Sequence, residues 1–135
     1  MNTMVLSREQ THKLRAVLQD LDPTAPQEQR LWPRHKVSLD MWIRTISPRG
    51  RTGVFKIMAM NLSKRGVGLL SKKLLSVGEK FALPLRFDEG GGKLVLCQVR
   101  NCRRLENGHC RVGATFLAWA EDEDGTTAIP AEWSR

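Results

Sequence analysis

Short runs of alternating apolar and polar residues most constrain what this chain can fold into. In the first run, Val37, Leu39, Met41 and Ile43 alternate with Ser38, Asp40, Trp42 and Arg44. Successive side chains of a β-strand point to opposite faces of a sheet, so this run predicts a strand with one buried face. Further strands are predicted at Val54–Met60, Val67–Ser71, Lys80–Phe87, Lys93–Arg104 and His109–Leu117.

Turn-forming residues separate these runs. The polar segments Ser47–Gly53, Asn61–Gly66, Ser76–Gly78 and Asp88–Gly92 lie between successive strands, and Asn107-Gly108 is the strongest hairpin signal in the chain. Short strands with turn signals about every 8–12 residues indicate an antiparallel barrel or sandwich. We therefore predict an all-β fold with a six-stranded antiparallel barrel.

The N-terminal residues follow a helical pattern instead. Ser7 and Gln10 have the spacing of a capping box, and apolar residues then recur with helical spacing at Leu14, Val17, Leu18 and Leu21. An amphipathic helix is predicted over about residues 8–21, and it must dock either on the barrel or on a second copy of the chain.

The predicted elements divide the chain into three parts. Residues 1–29 hold the helix and a linker, Pro23–Gln29, with no apolar side chain larger than alanine. Residues 30–118 form the barrel domain. Residues 119–135 form an acidic tail, predicted to be disordered or to be a short helix across one mouth of the barrel.

Positive charge is concentrated in the predicted barrel. Residues 30–116 contain 18 Lys and Arg against 5 Asp and Glu, whereas both ends of the chain are net negative. Such a segment attracts anions, so a phosphate-bearing partner is expected, although a basic surface that is merely solvated remains an alternative.

Signals for catalysis, metal binding and membrane insertion are weak. The three histidines are scattered, and no nucleophile or Walker-type motif is present. Cys97, Cys102 and Cys110 lack the C-x2-C spacing of structural zinc sites, so reduced, structural cysteines are expected. Met1–Leu6 does not resemble a signal peptide, and no apolar run approaches the roughly 20 residues of a membrane span. We expect a cytoplasmic protein that is not an enzyme and that needs no cofactor or metal.

Two arginines precede the first strand. Arg30-Leu-Trp-Pro-Arg34 places two guanidinium groups on a non-helical segment, where both can point at one ligand. A guanidinium fork hydrogen-bonds phosphate or guanine O6 and N7, and its plane stacks on a base. The pattern alone is weak, because 14 arginines give about one such spacing by chance. Arg100 and Arg104 form a second instance, which we interpret as the chance copy.

A sharper motif lies between the second and third strands. Asn61-Leu-Ser63-Lys-Arg-Gly66 fits the pattern Asp/Asn-x-Ser-x-x-Gly. Asn61 offers a hydrogen-bond acceptor and two donors, Ser63 offers a hydroxyl, and Gly66 lets the backbone turn or a ligand approach. The alternative is an ordinary Asx-type turn, which the same residue types favour.

In this order and spacing, the two motifs resemble the PilZ family over roughly residues 28–118. Gly66–Ser71, Leu75–Gly78 and Arg111–Phe116 also resemble the family's third strand, its usual turn and its closing strand. The resemblance implies a PilZ-type barrel that binds the bacterial second messenger cyclic di-GMP. It implies that the loop carrying the two arginines wraps over the ligand, and a downstream protein partner is expected to receive the signal.

The resemblance also implies a role for each matching residue. Arg30 and Arg34 would bind phosphate and guanine, Asn61 and Ser63 the guanine edge, and Gly66 would keep the turn open. Arg111 matches a position that is often basic near the ligand, with a solvated strand arginine as the alternative. Asn61 stands where Asp is more frequent, and Gln29 stands where many relatives have a further arginine, which leaves open whether one or two cyclic di-GMP molecules bind.

Two other classes of function remain open. The positive segment would also suit a nucleic-acid-binding barrel, but single-strand binding requires exposed aromatic side chains, for which only Trp32 and Trp42 are plausible here. The second alternative is a protein-interaction module that binds no nucleotide. We expect neither nucleic-acid binding nor a membrane span.

Overall fold

The computed structural model of the chain contains six β-strands and one short helical turn within the residues it describes, 35–46, 53–63, 65–86, 91–122 and 128–134. The predicted helix over residues 8–21, the linker, Arg30, Arg34 and most of the first turn lie outside these residues. The strands are β1 (His35–Ile46), β2 (Val54–Leu62), β3 (Gly66–Ser71), β4 (Lys80–Arg86), β5 (Gly92–Arg104) and β6 (Cys110–Glu121).

The six strands form one closed antiparallel barrel. Their order around it is β1-β2-β3-β6-β5-β4, and Arg44–Ile46 of β1 pairs with residues 80–82 of β4 to close it. Closure pairs the edges of the sheet and so removes the exposed backbone groups of edge strands. The predicted six-stranded antiparallel barrel is confirmed.

Alternation along the strands fills the barrel interior. Leu39, Met41 and Ile43 of β1 are buried, as their period-two spacing predicted. Phe81 and Phe116, almost completely buried, lie in the same interior cluster. Each fully buried side chain of this kind contributes about 1.5–3 kcal/mol, so this cluster is the main source of the barrel's stability.

The Asn107-Gly108 hairpin also forms as predicted. The Leu105 N–H donates to the His109 carbonyl over 2.7 Å, and the His109 N–H donates to Asn107 Oδ1 over 3.0 Å. Gly108 has a φ of 86°, in the left-handed region that glycine adopts without steric cost. This turn joins β5 to β6, which form the longest ladder of the barrel.

The last strand runs further than the alternation predicted. The sequence prediction ended it at Leu117, but β6 continues to Glu121, which pairs with Lys93 of β5. The extension is held by a 2.9 Å ion pair between these two side chains and by the Asp122 N–H, which donates to the Gly92 carbonyl. Of the acidic residues of this segment, Glu121 therefore lies at an exposed strand end opposite a lysine, whereas Asp122 is buried.

Part of the C-terminal tail covers the outside of the barrel. A 3₁₀ helix, Ala131–Ser134, buries Trp133 in a second apolar cluster on the outer face of the sheet. The same cluster includes Ile46, Ala82, Leu94 and Leu96. This layer covers the outer face of β4, so β4 is buried on both sides. Burial on both sides explains why its sequence is almost continuously apolar.

Candidate functional site

The turn between β2 and β3 is closed by hydrogen bonds among its own residues and is joined to β6. The Ser63 N–H donates to the Gly66 carbonyl over 3.0 Å, and the Ser63 hydroxyl accepts from the Arg65 N–H over 3.2 Å. The Arg65 carbonyl in turn accepts from the Phe116 N–H over 2.7 Å. The motif therefore forms a turn whose position is set by the closing strand of the barrel.

Gly66 serves this turn through close packing. It is absent from the glycines with positive φ among the described residues. A Cβ at this position would collide with the carbonyl oxygen of Ala114 on β6. Glycine is thus required at position 66 because β3 and β6 approach each other closely here, and not because the backbone adopts a left-handed conformation.

Four residues from four adjacent strands lie in one row beside the turn. Asn61 of β2 is opposite Gly68 of β3, Gly68 is opposite Gly113 of β6, and Gly113 is opposite Asn101 of β5. A Cβ built on Gly68 would lie 2.6 Å from Asn61 Nδ2, and one on Gly113 would lie 2.8 Å from Asn101 Oδ1. Each amide therefore occupies the space that a side chain would fill at the neighbouring glycine.

Two β-bulges bring these amides to the outer surface. The register shifts between Ala59 and Asn61 in the β2–β3 ladder and between Val99 and Asn101 in the β5–β6 ladder. The residues inside the two bulges, Met60 and Arg100, are exposed. Asn101 is also exposed, and Asn61 is half-buried. A bulge sets two residues against one on the partner strand and so re-aims the side chains that follow.

Arginines surround the row. Arg103 of β5 lies opposite Arg111 of β6, and both are exposed. Arg100 lies within the β5 bulge, where its Nε donates to the Thr115 hydroxyl over 3.2 Å. The buried Arg65 in the turn adds a fourth cationic side chain. These positive charges give this face a strong attraction for anions.

These residues line one cleft of about 320 Å³ on the outer surface of the barrel. Four of the predicted site residues meet there, namely Asn61, Ser63, Gly66 and Arg111. None of the described residues that line it is acidic. The ion pairs between Lys56 and Asp40 and between Lys93 and Glu121 involve residues outside the cleft. The cleft therefore combines fixed amide and hydroxyl groups with an excess of positive charge.

The cleft also contains residues that the sequence interpretation missed. They are Arg65, Arg100, Asn101, Arg103 and Thr115. We interpreted Arg100 and Arg104 as a chance copy of the two-arginine spacing, and the structure places Arg100 in the cleft and Arg104 outside it. A signal was present: two consecutive polar residues, Arg100 and Asn101, interrupt the alternation of apolar and polar residues between Cys97 and Arg103, as expected for a bulge.

The cysteines lie in the barrel and not in the cleft. Cys97 and Cys110 are buried, Cys102 is half-buried, and all three are free thiols, as predicted. Burial raises the pKa of the Cys97 thiol well above its ordinary value, which keeps it protonated and unreactive at neutral pH. No group of three or more potential metal ligands occurs among the described residues.

No family model and no curated protein matches this chain, so function has to be inferred from the motifs and the cleft. The described residues include no helix with the length and hydropathy required to cross a bilayer.

Proposed function

We propose that this domain is a receptor for cyclic di-GMP and that the cleft described above is its binding site. The observation that carries the proposal is the meeting of Asn61, Ser63 and Gly66 with the distant Arg111 in one cleft. These are positions at which the sequence resembles the PilZ family. The barrel alone would not support this proposal, because one fold serves many functions.

The chemistry of the cleft suits this ligand. Cyclic di-GMP presents two phosphates and two guanine bases. Arg100, Arg103 and Arg111 provide planar guanidinium groups for phosphate oxygens or for guanine O6 and N7, without a competing carboxylate among the described lining residues. Asn61 and Ser63 provide the donors and acceptors that read a base edge.

The two N-terminal arginines complete the proposed site. Arg34 is bonded to His35, the first residue of β1, and His35 pairs with Leu62 immediately before the turn. The chain therefore enters the barrel beside the cleft. Arg30 and Arg34 bind the ligand from this side, and the ordering of their loop transmits the binding event to a downstream protein partner.

A titration with matched nucleotides tests the proposal. Purified, nucleotide-free protein is titrated with cyclic di-GMP, GMP, GTP and a single-stranded oligonucleotide in moderate salt, with heat release and melting temperature as readouts. A ligand of the native state stabilises it by about 2.7 kcal/mol at a hundredfold excess over Kd. Cyclic di-GMP should produce this stabilisation, and GMP and GTP should produce far less.

Each other outcome points to a different class of protein. An unchanged melting temperature at saturating cyclic di-GMP contradicts the proposal. Binding of the oligonucleotide with a steep salt dependence would instead indicate a nucleic-acid-binding barrel. Binding of neither would leave the protein-interaction module as the remaining class.

A further inference from the structure

The row of Asn61, Gly68, Gly113 and Asn101 has a near-symmetric arrangement that the motif alone does not explain. In both halves of the row, an asparagine follows a bulge and lies over the glycine opposite it. The two glycines face each other across the β3–β6 ladder, where paired Cα atoms are about 4.5–5.5 Å apart. The two amides therefore lie side by side on the cleft floor.

Neither amide is engaged elsewhere within the part of the chain that the structure describes. The hydrogen bonds in and around the cleft use Ser63, Arg65, Arg100 and Thr115 and leave both asparagine side chains facing the cleft. An asparagine amide offers one oxygen as acceptor and two N–H donors, and it can rotate to present either. The pair thus offers two separate acceptors within one cleft.

Guanine requires two acceptors at its Watson–Crick edge. That edge presents the N1–H and the 2-amino group as neighbouring donors. An aspartate at position 61 would accept both with its two carboxylate oxygens, but the single amide oxygen of Asn61 can form a linear hydrogen bond to only one of these two parallel donors. Position 61 by itself therefore leaves one guanine donor without a partner, and an unsatisfied buried donor costs binding free energy.

We propose that Asn101 supplies the second acceptor and that it determines specificity for guanine. In this arrangement the oxygen of Asn61 accepts the N1–H and the oxygen of Asn101 accepts the 2-amino group. The inference rests on the proposed function, since it concerns the base of cyclic di-GMP in the same cleft. It assigns a base-reading role to a residue of β5 that lies outside both sequence motifs.

The test compares cyclic di-GMP with cyclic di-IMP, whose hypoxanthine bases lack only the 2-amino group. One neutral hydrogen bond corresponds to about a two- to twelvefold change in affinity. The unsubstituted protein should prefer cyclic di-GMP by a factor in this range. Asn101→Ala should lower the affinity for cyclic di-GMP to that for cyclic di-IMP and remove the preference. Gln98→Ala, which removes an amide of the same strand outside the cleft, should leave the preference unchanged.

A second variant tests the missing acceptor directly. Adding Asn61→Asp to Asn101→Ala supplies a second oxygen from position 61, so the double variant should recover preference for cyclic di-GMP. The inference is overturned if the Asn101→Ala protein still distinguishes the two ligands or if the double variant recovers nothing. If the unsubstituted protein binds neither ligand, the proposed function itself fails and the inference fails with it.

Discussion

Arg103 and Arg111 lie directly opposite each other in the β5–β6 ladder, both exposed and both lining the cleft. Like charges in this position destabilise a sheet, and the cleft residues that the structure describes include no carboxylate to offset them. An anion bound between the two side chains would relieve the repulsion. The arrangement therefore exchanges some stability of the unliganded barrel for affinity toward a phosphate.

The first prediction tests whether the Arg103–Arg111 pair contributes more to ligand binding than positive charge elsewhere on the surface does. Arg103→Ala should weaken cyclic di-GMP binding by more than tenfold, because a charge-assisted hydrogen bond contributes about 1.5–3 kcal/mol. It should also leave the unliganded protein as stable as before or slightly more stable. Arg104→Ala is the matched control, since Arg104 is the next residue of β5, is also exposed, and lies outside the cleft. Equal losses of affinity in the two variants would show that the motif-bearing cleft is not the site.

The second prediction concerns the N-terminal arginines. Arg30→Ala and Arg34→Ala should each lower the affinity for cyclic di-GMP by more than tenfold, because each removes a charge-assisted contact of about 1.5–3 kcal/mol. Melting temperatures without ligand should change little. Lys72→Ala provides the control, because Lys72 is an exposed cation outside the cleft. If the variants bind cyclic di-GMP within twofold of the affinity of the unsubstituted protein, these arginines are not part of the binding site.

The third prediction concerns signalling. Binding should add amide hydrogen-exchange protection at residues 23–34 and 61–66, because the ligand would join the N-terminal loop to the β2–β3 turn. Protection should extend into residues 8–21, the predicted helix, which the loop connects to the barrel. Exchange measured with and without cyclic di-GMP checks this. Identical exchange of the first 34 residues in both states would refute the switch while leaving the binding site intact.

The fourth prediction distinguishes packing from binding within the motif. Gly66→Ala should lower the free energy of unfolding by about 1–3 kcal/mol, because the added methyl group would collide with the Ala114 carbonyl and force β3 and β6 apart. Asn61→Ala should instead reduce affinity and leave the melting temperature nearly unchanged. Chemical denaturation and ligand titration of both variants provide the measurements. A Gly66→Ala protein of unchanged stability would mean that the two strands can separate there without cost.

The fifth prediction concerns the C-terminal cover of the barrel. Trp133 is only 6% exposed, so Trp133→Ala should lower the free energy of unfolding by about 3 kcal/mol through the loss of packing against Ala82 and Leu94. Trp119 is 39% exposed and is in contact with Lys93, so Trp119→Ala should cost less than about 1 kcal/mol. Urea unfolding compares the two. If Trp133→Ala lowers the free energy of unfolding as little as Trp119→Ala does, the tail does not stabilise the barrel.

Much of the fold could be predicted from local sequence. The strand count, the buried face of β1 and the Asn107-Gly108 hairpin were all correct, because alternation and turn preference depend on residues close together in the chain. The end of β6 was missed. Beyond Leu117 the strand is held by the Lys93–Glu121 pair, a contact between distant residues that local alternation does not reveal.

The candidate site was predicted in part. Asn61, Ser63, Gly66 and Arg111 do lie in one cleft, whereas Arg30 and Arg34 fall outside the described residues and stay predictions. The spacing of Arg100 to Arg104 did not predict that Arg100 would line the cleft and Arg104 would not. The position of Arg100 in the cleft depends on a bulge in β5, a deviation that shifts a side chain by one position in register.

The sequence by itself determined that this chain forms short strands around an apolar interior and that it carries a compact turn motif in a basic segment. Only the tertiary structure decided that Asn61 and Asn101, 40 positions apart in the chain, lie over a facing pair of glycines. The physical reason is that alternation is set by neighbouring residues, whereas register, strand order and bulge position are set by closing the barrel around its core. The cleft is a product of that closure, because its walls come from strands that become neighbours only when the barrel forms.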